Sequence, residues 1–440
     1  MSNGIVIAII ALIVFLALMF IGVPVPISMG IVGLAGFAIL KSPTAALTMA
    51  TSEITKNFSS YTMSVAPMFA MMGFAAYYSG LGSRMFKAAQ AFLGHRRGGL
   101  AMATAVTCAF FGAICGSGPA TMGTMGAVAY PEMKKRGYHP KVSCCTIAVG
   151  SSIAVLIPPS LTFVIYGNAC DTSVGRLFVS GIIPGLMLTV LTIICIAIMG
   201  KVDPSCAPKS EKTTWPVRWK AIKEGGLIEV ILVFLLSIGG LFAGWFAPTE
   251  AGAVGSAGML LICVIRRSMK WKDFVNVIYD TAKLAIMVYM ILSCANIFSR
   301  FIAVTGLTAK AAAFIKGANL PGGGVVAIVL AFLFVMGMLT DVLSIVLLII
   351  PVLFPILIDY YGYSTIWFGN ITLLMLCIGG LSPPVGISIF ITKGCIKDPD
   401  VTLRQIFSGC WYFIAAAFVV VVLISVFPEL TTWLPTVVYG

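Results

Sequence analysis

The chain has 440 residues, of which 60% are hydrophobic and only 10% charged, and its mean hydropathy is +1.05. A soluble domain carries about 25% charged residues, so an ordinary soluble fold is excluded. The net charge of +13 does not point to nucleic acid, because Lys and Arg gather near the ends of apolar segments, as orientation in a membrane requires.

Apolar runs recur at 4–21, 58–79, 178–199, 227–243, 278–298 and 405–427. As a helix, about 20 such residues cross the roughly 30 Å hydrocarbon core. The alternating ten-residue segments of a membrane β-barrel are absent, so the fold class is an all-α polytopic membrane protein. The first run, "GIVIAIIALIVFLALMF", has no Lys or Arg before it and reads as a retained membrane helix, not a signal peptide. Residues 1–80 form the first group of helices.

Residues 81–200 hold the first unusual feature. An apolar run from 99 to 115 meets "CGSGPATMG" and then runs on to Tyr130. Gly116, Gly118 and Pro119 break a helix, and the flanks "GHRR" (94–97) and "KKR" (134–136) are both basic. Both ends therefore belong on one side, which predicts a re-entrant hairpin over about 98–134, with Glu132 and Lys134–Arg136 anchoring its base. Such backbone is tolerated at membrane depth only when buried in protein or lining a cavity. Beside it, "VGSSIAVLIPPSLTF" (149–163) predicts an interrupted helix over about 140–167. The double proline leaves upstream carbonyls without helical donors, and these must find a cation, water or a hydroxyl.

The polar stretch 201–224 carries six Lys/Arg and is read as a cytoplasmic linker. Trp215, Trp219 and Ile222 share a face there, which fits either a helix lying in the interface or a solvated connection.

The second half repeats the first. "VPISMGIVG" (25–33) matches "APTEAGAVG" (247–255), Ser117 matches Asp341, Pro131 matches Pro355, Tyr138 matches Tyr363, and "IPPS" (157–160) matches "SPPV" (382–385), at offsets of 222 to 225. Residues 225–300 are then the second group of helices. Residues 301–440 hold a second hairpin at about 322–357, a second interrupted helix at about 363–393 and a last helix. The second hairpin's brackets, "GANLPGGG" and "IDYYGY", lack Lys and Arg, whereas 201–224 and "RRSMKWK" (266–272) are basic. By the positive-inside rule the first hairpin opens to the cytoplasm and the second to the outside, with both termini outside: an inverted repeat, as in many secondary transporters.

Asp341 is the only charge between Val325 and Leu357. At the centre of a membrane helix it costs roughly 2.5–3.5 kcal/mol, which marks it as functional. Around the first tip, Ser117, Thr121, Ser151, Ser152 and Ser160 offer oxygens. Around the second, Thr340, Asp341, Ser344 and Ser382 do so, and Gly379 and Gly380 allow close backbone approach. Hard cations take oxygen, so Na⁺ or H⁺ is the expected coupling ion. The second half-helix of each hairpin points a positive dipole end at the tip, which suits an anionic group. Candidate substrate contacts are Pro119, Ala120, Ser160, Pro384 and Arg300, the last also placed to snorkel to the interface. Glu250, near a span end, reads as structural.

The 12 cysteines show no CxxC and the two histidines, His95 and His139, have no metal partner in sequence. No nucleophile–base set or second intramembrane acid accompanies Asp341, so catalysis is not expected.

"GSGPATMGTMGAVAYPEMKKRGY", "IPPSLTFVIYG", "GIIPG", "FAPTEAGAVG" and "LSPPVG" together resemble the large membrane subunit of a TRAP (tripartite ATP-independent periplasmic) transporter over about residues 5–430. The resemblance implies a bacterial inner-membrane importer of organic acids such as C4-dicarboxylates or sialic acid, coupled to Na⁺, with an elevator-type scaffold and mobile transport domain. It implies a small four-helix membrane subunit, expected as a separate chain because no extension precedes the first helix. It also implies a periplasmic substrate-binding protein. It implies one Na⁺ site at Ser117, Gly118 and Thr121 with Ser151, Ser152 and Pro158. The other is at Thr340, Asp341 and Ser344 with Gly379, Gly380 and Ser382. A stand-alone Na⁺- or H⁺-coupled carboxylate transporter is the alternative.

Overall fold

A computed structural model describes residues 3–210, 213–317 and 321–440. Its first half runs α1 (Asn3–Phe20), α2 (Val25–Leu40), α3 (Pro43–Phe58), a 3-10 turn (Tyr61–Ser64), α4 (Val65–Tyr78), α5 (Leu81–Leu93), α6 (Gly99–Cys115), α7 (Gly118–Lys135), α8 (Pro140–Leu156), α9 (Leu161–Ala169) and α10 (Val174–Val202). The linker helix is α11 (Trp215–Glu224). The second half runs α12 (Leu227–Phe234), a π turn (Leu235–Gly239), α13 (Gly240–Phe242), α14 (Pro248–Ile265), α15 (Trp271–Thr305), α16 (Leu307–Gly317), α17 (Gly322–Leu339), α18 (Val342–Phe354), a second π turn (Pro355–Tyr360), α19 (Thr365–Leu381), α20 (Ile387–Ile396), α21 (Leu403–Val426) and α22 (Glu429–Tyr439). Among the described residues, five helices are long and apolar enough to cross a membrane, or up to eight if each bent helix pair counts as one span.

The repeat is visible element by element. The helix breaks at 116–117 and 157–160 recur at 340–341 and 382–386. Glycines that aligned in sequence do matching work. In α2, a Cβ on Gly30 would stand 2.9 Å from Cys294 and one on Gly33 2.8 Å from the Phe298 backbone, so α15 seats on this face. In α14, Gly252 and Gly255 receive Met68 and Met72 of α4 in the same way. Small residues let membrane helices approach closely, and here each repeat's glycine face receives the other repeat's helix. Glu250 accepts the Ala247 N–H at 2.8 Å and so caps α14, the structural role expected of it.

The two hairpins enter from opposite ends, and α21 shows it. Its start lies on the start of α8: Cys145 Sγ donates to the Ile406 carbonyl at 2.8 Å, and Gly409 leaves no room for a Cβ beside the Lys141 carbonyl. Its last turn receives Trp367 Nε1 at the Ile424 carbonyl, 2.9 Å, at the start of α19. A 24-residue helix is about 36 Å long, so the bases of α6/α7 and α17/α18 lie a membrane thickness apart.

The linker straps the base of the first hairpin. Gly98 N–H donates to the Ala207 carbonyl at 3.1 Å, His139 N–H to Cys206 at 3.1 Å and Ser210 N–H to Gly94 at 3.1 Å. Tyr138 Oη donates to the Pro208 carbonyl at 3.0 Å, and Lys141 pairs with Asp203 at 2.7 Å. Both ends of the α6/α7 hairpin thus share one side with the linker, as the basic flanks predicted. The linker's second part is helical, and Trp215 and Trp219 stand exposed on α11.

Candidate functional site at the two hairpin tips

Each tip meets the break in the interrupted helix of its own repeat. Both arms α6 and α7 pack on α8, and α17 and α18 on α19. The short outgoing helices cross over: α20 packs on α7, and α9 packs on α18. The two tips and two breaks are therefore held by both repeats together.

At the first tip α6 ends on Gly116, which is left-handed at φ +58°, a conformation glycine adopts without strain. A Cβ there would collide with the Pro159 carbonyl, and the Gly116 carbonyl accepts the Leu161 N–H at 3.4 Å. The tip is thus bonded into the break. Gly118 lies on Ser151, whose Cβ is 3.3 Å from where its own would stand. Thr121 is buried and its hydroxyl donates to the Ser117 carbonyl at 2.9 Å. Ser151 donates to the Ala148 carbonyl at 2.6 Å. Pro158 and Pro159 bring no N–H, so the Ala154 and Val155 carbonyls lose the donors a continuous helix would supply. Buried Ser160 caps α9 by accepting the Phe163 N–H at 3.3 Å. Ser152 lies with Leu374 and Cys377 in the seam between α8 and α19.

The second tip is built differently. Thr340 occupies the place of Gly116, and a β-branched residue does not take the left-handed form. Its backbone is extended, φ −151° and ψ 176°. Asp341 takes the place of Ser117: each is the residue before its return helix. Its carboxylate accepts the Ser344 N–H at 3.0 Å, the bond of an N-cap, and lies 3.5 Å from the Thr340 hydroxyl. Asp341 is exposed. The hairpin seats on the break one turn upstream, where a Cβ on Gly337 would stand 2.7 Å from the Leu376 carbonyl and one on Gly379 2.5 Å from the Phe334 carbonyl. Gly380 sits beside Ser388, whose Oγ is 3.1 Å from its Cβ position. Ser382 is buried and donates to the Ile378 carbonyl at 2.8 Å. Among the described residues the Ser344 hydroxyl is buried with no partner, a free oxygen beside the tip.

Pro119 and Pro384 are exposed, and Ala120 is half-buried. Arg300 is placed elsewhere: on α15, its Nε donates to Glu53 Oε1 of α3 at 2.8 Å, with Glu53 only 7% exposed. Gly337 was missed by sequence reasoning; its signal was the glycine at the offset of Gly112, which meets Ala154 as Gly337 meets Gly379. Among the described residues no group of three or more His, Cys, Asp or Glu could hold a metal ion.

The base of the first hairpin carries an electrostatic hub. Asp398, in the loop after α20, accepts from Lys134 Nζ at 2.6 Å and from Tyr130 Oη at 2.5 Å, and its backbone carbonyl accepts from Lys393. The Lys134 ammonium, then the Tyr130 hydroxyl, hold its carboxyl down at about 2. Glu132 pairs with Lys135 at 3.2 Å.

A family model described as "Tripartite ATP-independent periplasmic transporter, DctM component" matches residues 12–430. The C4-dicarboxylate TRAP transporter large permease protein DctM of Vibrio cholerae is 29% identical over 97% of this chain and 97% of its own. The ectoine TRAP transporter large permease protein TeaC of Halomonas elongata is 31% identical over 95% and 96%, and the sialic acid TRAP transporter large permease protein SiaM of Vibrio cholerae 29% over 97% and 98%. Among solved structures, the YdaH transporter of Alcanivorax borkumensis superposes at a TM-score of 0.58 over 88% of this chain and 89% of its own, at 13% identity; that likeness speaks for the fold alone.

Proposed function

The chain belongs to the DctM family of tripartite ATP-independent periplasmic (TRAP) transporters, as a multi-pass large permease subunit of the inner membrane, and we propose that it imports an organic acid by Na⁺ symport. Substrate arrives from a periplasmic binding protein, and a small four-helix subunit completes the membrane part. The relatives named above handle a C4-dicarboxylate, ectoine and sialic acid, so the permease fold accepts varied cargo and the choice rests largely with the binding protein.

One observation carries this reading: each of two hairpin tips, entering from opposite ends, is seated on a helix break of its own repeat through glycine contacts. Na⁺ is carried at the first tip by oxygens of Ser117, Thr121 and Ser151 with the carbonyls left without donors before Pro158. It is carried at the second by Thr340, Asp341, Ser344 and the Gly379–Ser382 backbone. The carboxylate of the cargo lies between the tips, near Pro119, Ala120, Ser160 and Pro384, at the positive ends of the return helices. Arg300 is held by Glu53 instead and is not assigned to this anion site. Helices of residues 1–80 and 225–300 act as the scaffold. Residues 81–200 and 301–440 move as one body, an elevator, with both termini periplasmic. The cross-packing of α20 on α7 and α9 on α18 supports the single moving body.

Reconstitution with the small subunit and the binding protein tests this. Uptake should require the binding protein and an inward Na⁺ gradient. Uptake by this chain alone would favour a stand-alone carboxylate transporter.

A further inference from the structure

A polar cluster outside the hairpins lies where α5, α12 and α14 meet, at the end that carries the basic loops. Arg266, at the end of α14, pairs with Glu229 in the first turn of α12 and donates to the Lys223 carbonyl at 3.3 Å. Arg84 of α5 stands close enough to Arg266 for the two charges to oppose each other. No carboxylate pairs with Arg84 among the described residues. Among the described residues its Nε is shut from solvent without a hydrogen-bond partner, and so is Glu229 Oε2. Gly225 and Gly226 bring these elements together: Cβ atoms there would stand 3.3 Å from the Arg84 carbonyl and 3.8 Å from Glu229 Oε2. A guanidinium left without an anion beside a second arginine is a cost the fold bears unless something supplies one.

We propose that this cluster holds the head of a membrane phospholipid, with its phosphate between Arg84 and Arg266 and a donor of the same head, ammonium or hydroxyl, at Glu229 Oε2. Guanidinium forks match phosphate oxygens in planar, paired geometry. A carboxylate from a protein partner would answer the arginines but would bring no donor to Glu229. A phosphodiester with a neighbouring donor answers both. Trp215, Trp219 and Trp271, exposed at 66%, 61% and 78%, flank this end and mark the level of the headgroups, where Trp concentrates. Basic pockets between helices on this side of a bilayer take anionic heads.

The test is thermal unfolding of the full-length chain in phospholipid-free detergent, with phosphatidylethanolamine, phosphatidylglycerol, phosphatidylcholine or inorganic phosphate added. The first two should raise Tm with dose. Phosphatidylcholine, whose head has no donor, and inorganic phosphate should not. Arg84→Gln should weaken the apparent affinity by about tenfold or more without lowering the lipid-free Tm, whereas Lys87→Gln, on the same helix, should leave it unchanged. Glu229→Gln should erase the preference over phosphatidylcholine. Native mass spectrometry of the unaltered chain should show a retained phospholipid, a readout independent of how the variants fold. An equal response to phosphatidylcholine, an undiminished response in Arg84→Gln, or a shift from inorganic phosphate alone would overturn the proposal. So would finding that Arg84→Gln impairs only assembly with the small subunit.

Discussion

Gly337 lies backbone to backbone on Gly379, the two Cβ positions standing 2.7 Å and 2.5 Å from carbonyl oxygens of the facing helix. The first repeat has the same contact between Gly112 and Ala154. The hairpins are therefore held to the interrupted helices by close backbone approach, not by side-chain bonds.

Gly337→Ala should cost about 1–3 kcal/mol through overpacking, because the new methyl meets backbone that cannot swing aside. Gly323→Ala, in the same helix where a Cβ meets nothing within 4 Å, should be neutral or stabilising by about 0.5–1 kcal/mol. Thermal unfolding of the two purified variants compares them; equal stability would remove the glycine seat from the account.

Asp341→Asn separates two roles of one side chain. Asn caps helices about as well as Asp, so α18 should keep its start and the protein should insert and fold normally. The formal charge is gone, so Na⁺ activation of uptake should weaken or transport should cease. Asp341→Ala should in addition lose about 0.5–2 kcal/mol of stability with the cap. Normal Na⁺ activation in the Asn variant would take Asp341 out of the ion site.

The Asp398 hub has a pH signature. Its carboxyl is held at about 2, below the ordinary carboxylate value of 3.8, so the charged form belongs to the folded state. A depressed carboxylate stabilises above its unfolded value and loses that effect as pH falls through the folded one. Stability should be flat in this respect above about pH 5 and decline from about pH 4 toward 2. Asp398→Asn should flatten that acid limb. Exchange of both charges, Lys134→Asp with Asp398→Lys, should recover more stability than either single change.

Labelling sides tests the inverted arrangement. With the 12 native cysteines replaced, single cysteines at Arg97→Cys and Gly323→Cys, at the bases of the two hairpins, should react with impermeant maleimide from opposite faces of the membrane, Arg97→Cys from the cytoplasmic one. Reaction from the same face would contradict the orientation read from the basic loops.

Much of this was legible in the sequence because it rests on backbone chemistry. Gly116 and Pro119 announce one tip, and Pro158–Pro159 and Pro383–Pro384 announce both breaks. Asp341 marks the second tip by its charge and by its match to Ser117, and the structure places both just before a return helix. Other features depend on packing that no local pattern encodes. Gly337 was hidden inside an apolar run, Ser152 turned out to face α19, and the Glu53–Arg300 pair joins residues 247 apart. The hub on Asp398 is not legible either, since the partners of its carboxylate, Tyr130 and Lys134, come from the other repeat.

Accumulation of a radiolabelled organic acid in proteoliposomes that hold this chain and the small subunit, with the loaded binding protein added, decides whether Na⁺ drives import. Uptake should rise with an imposed inward Na⁺ gradient, collapse when K⁺ replaces Na⁺, and be lost or lose its Na⁺ dependence in Asp341→Asn. Accumulation that is indifferent to Na⁺, or that follows a proton gradient instead, would contradict Na⁺ symport.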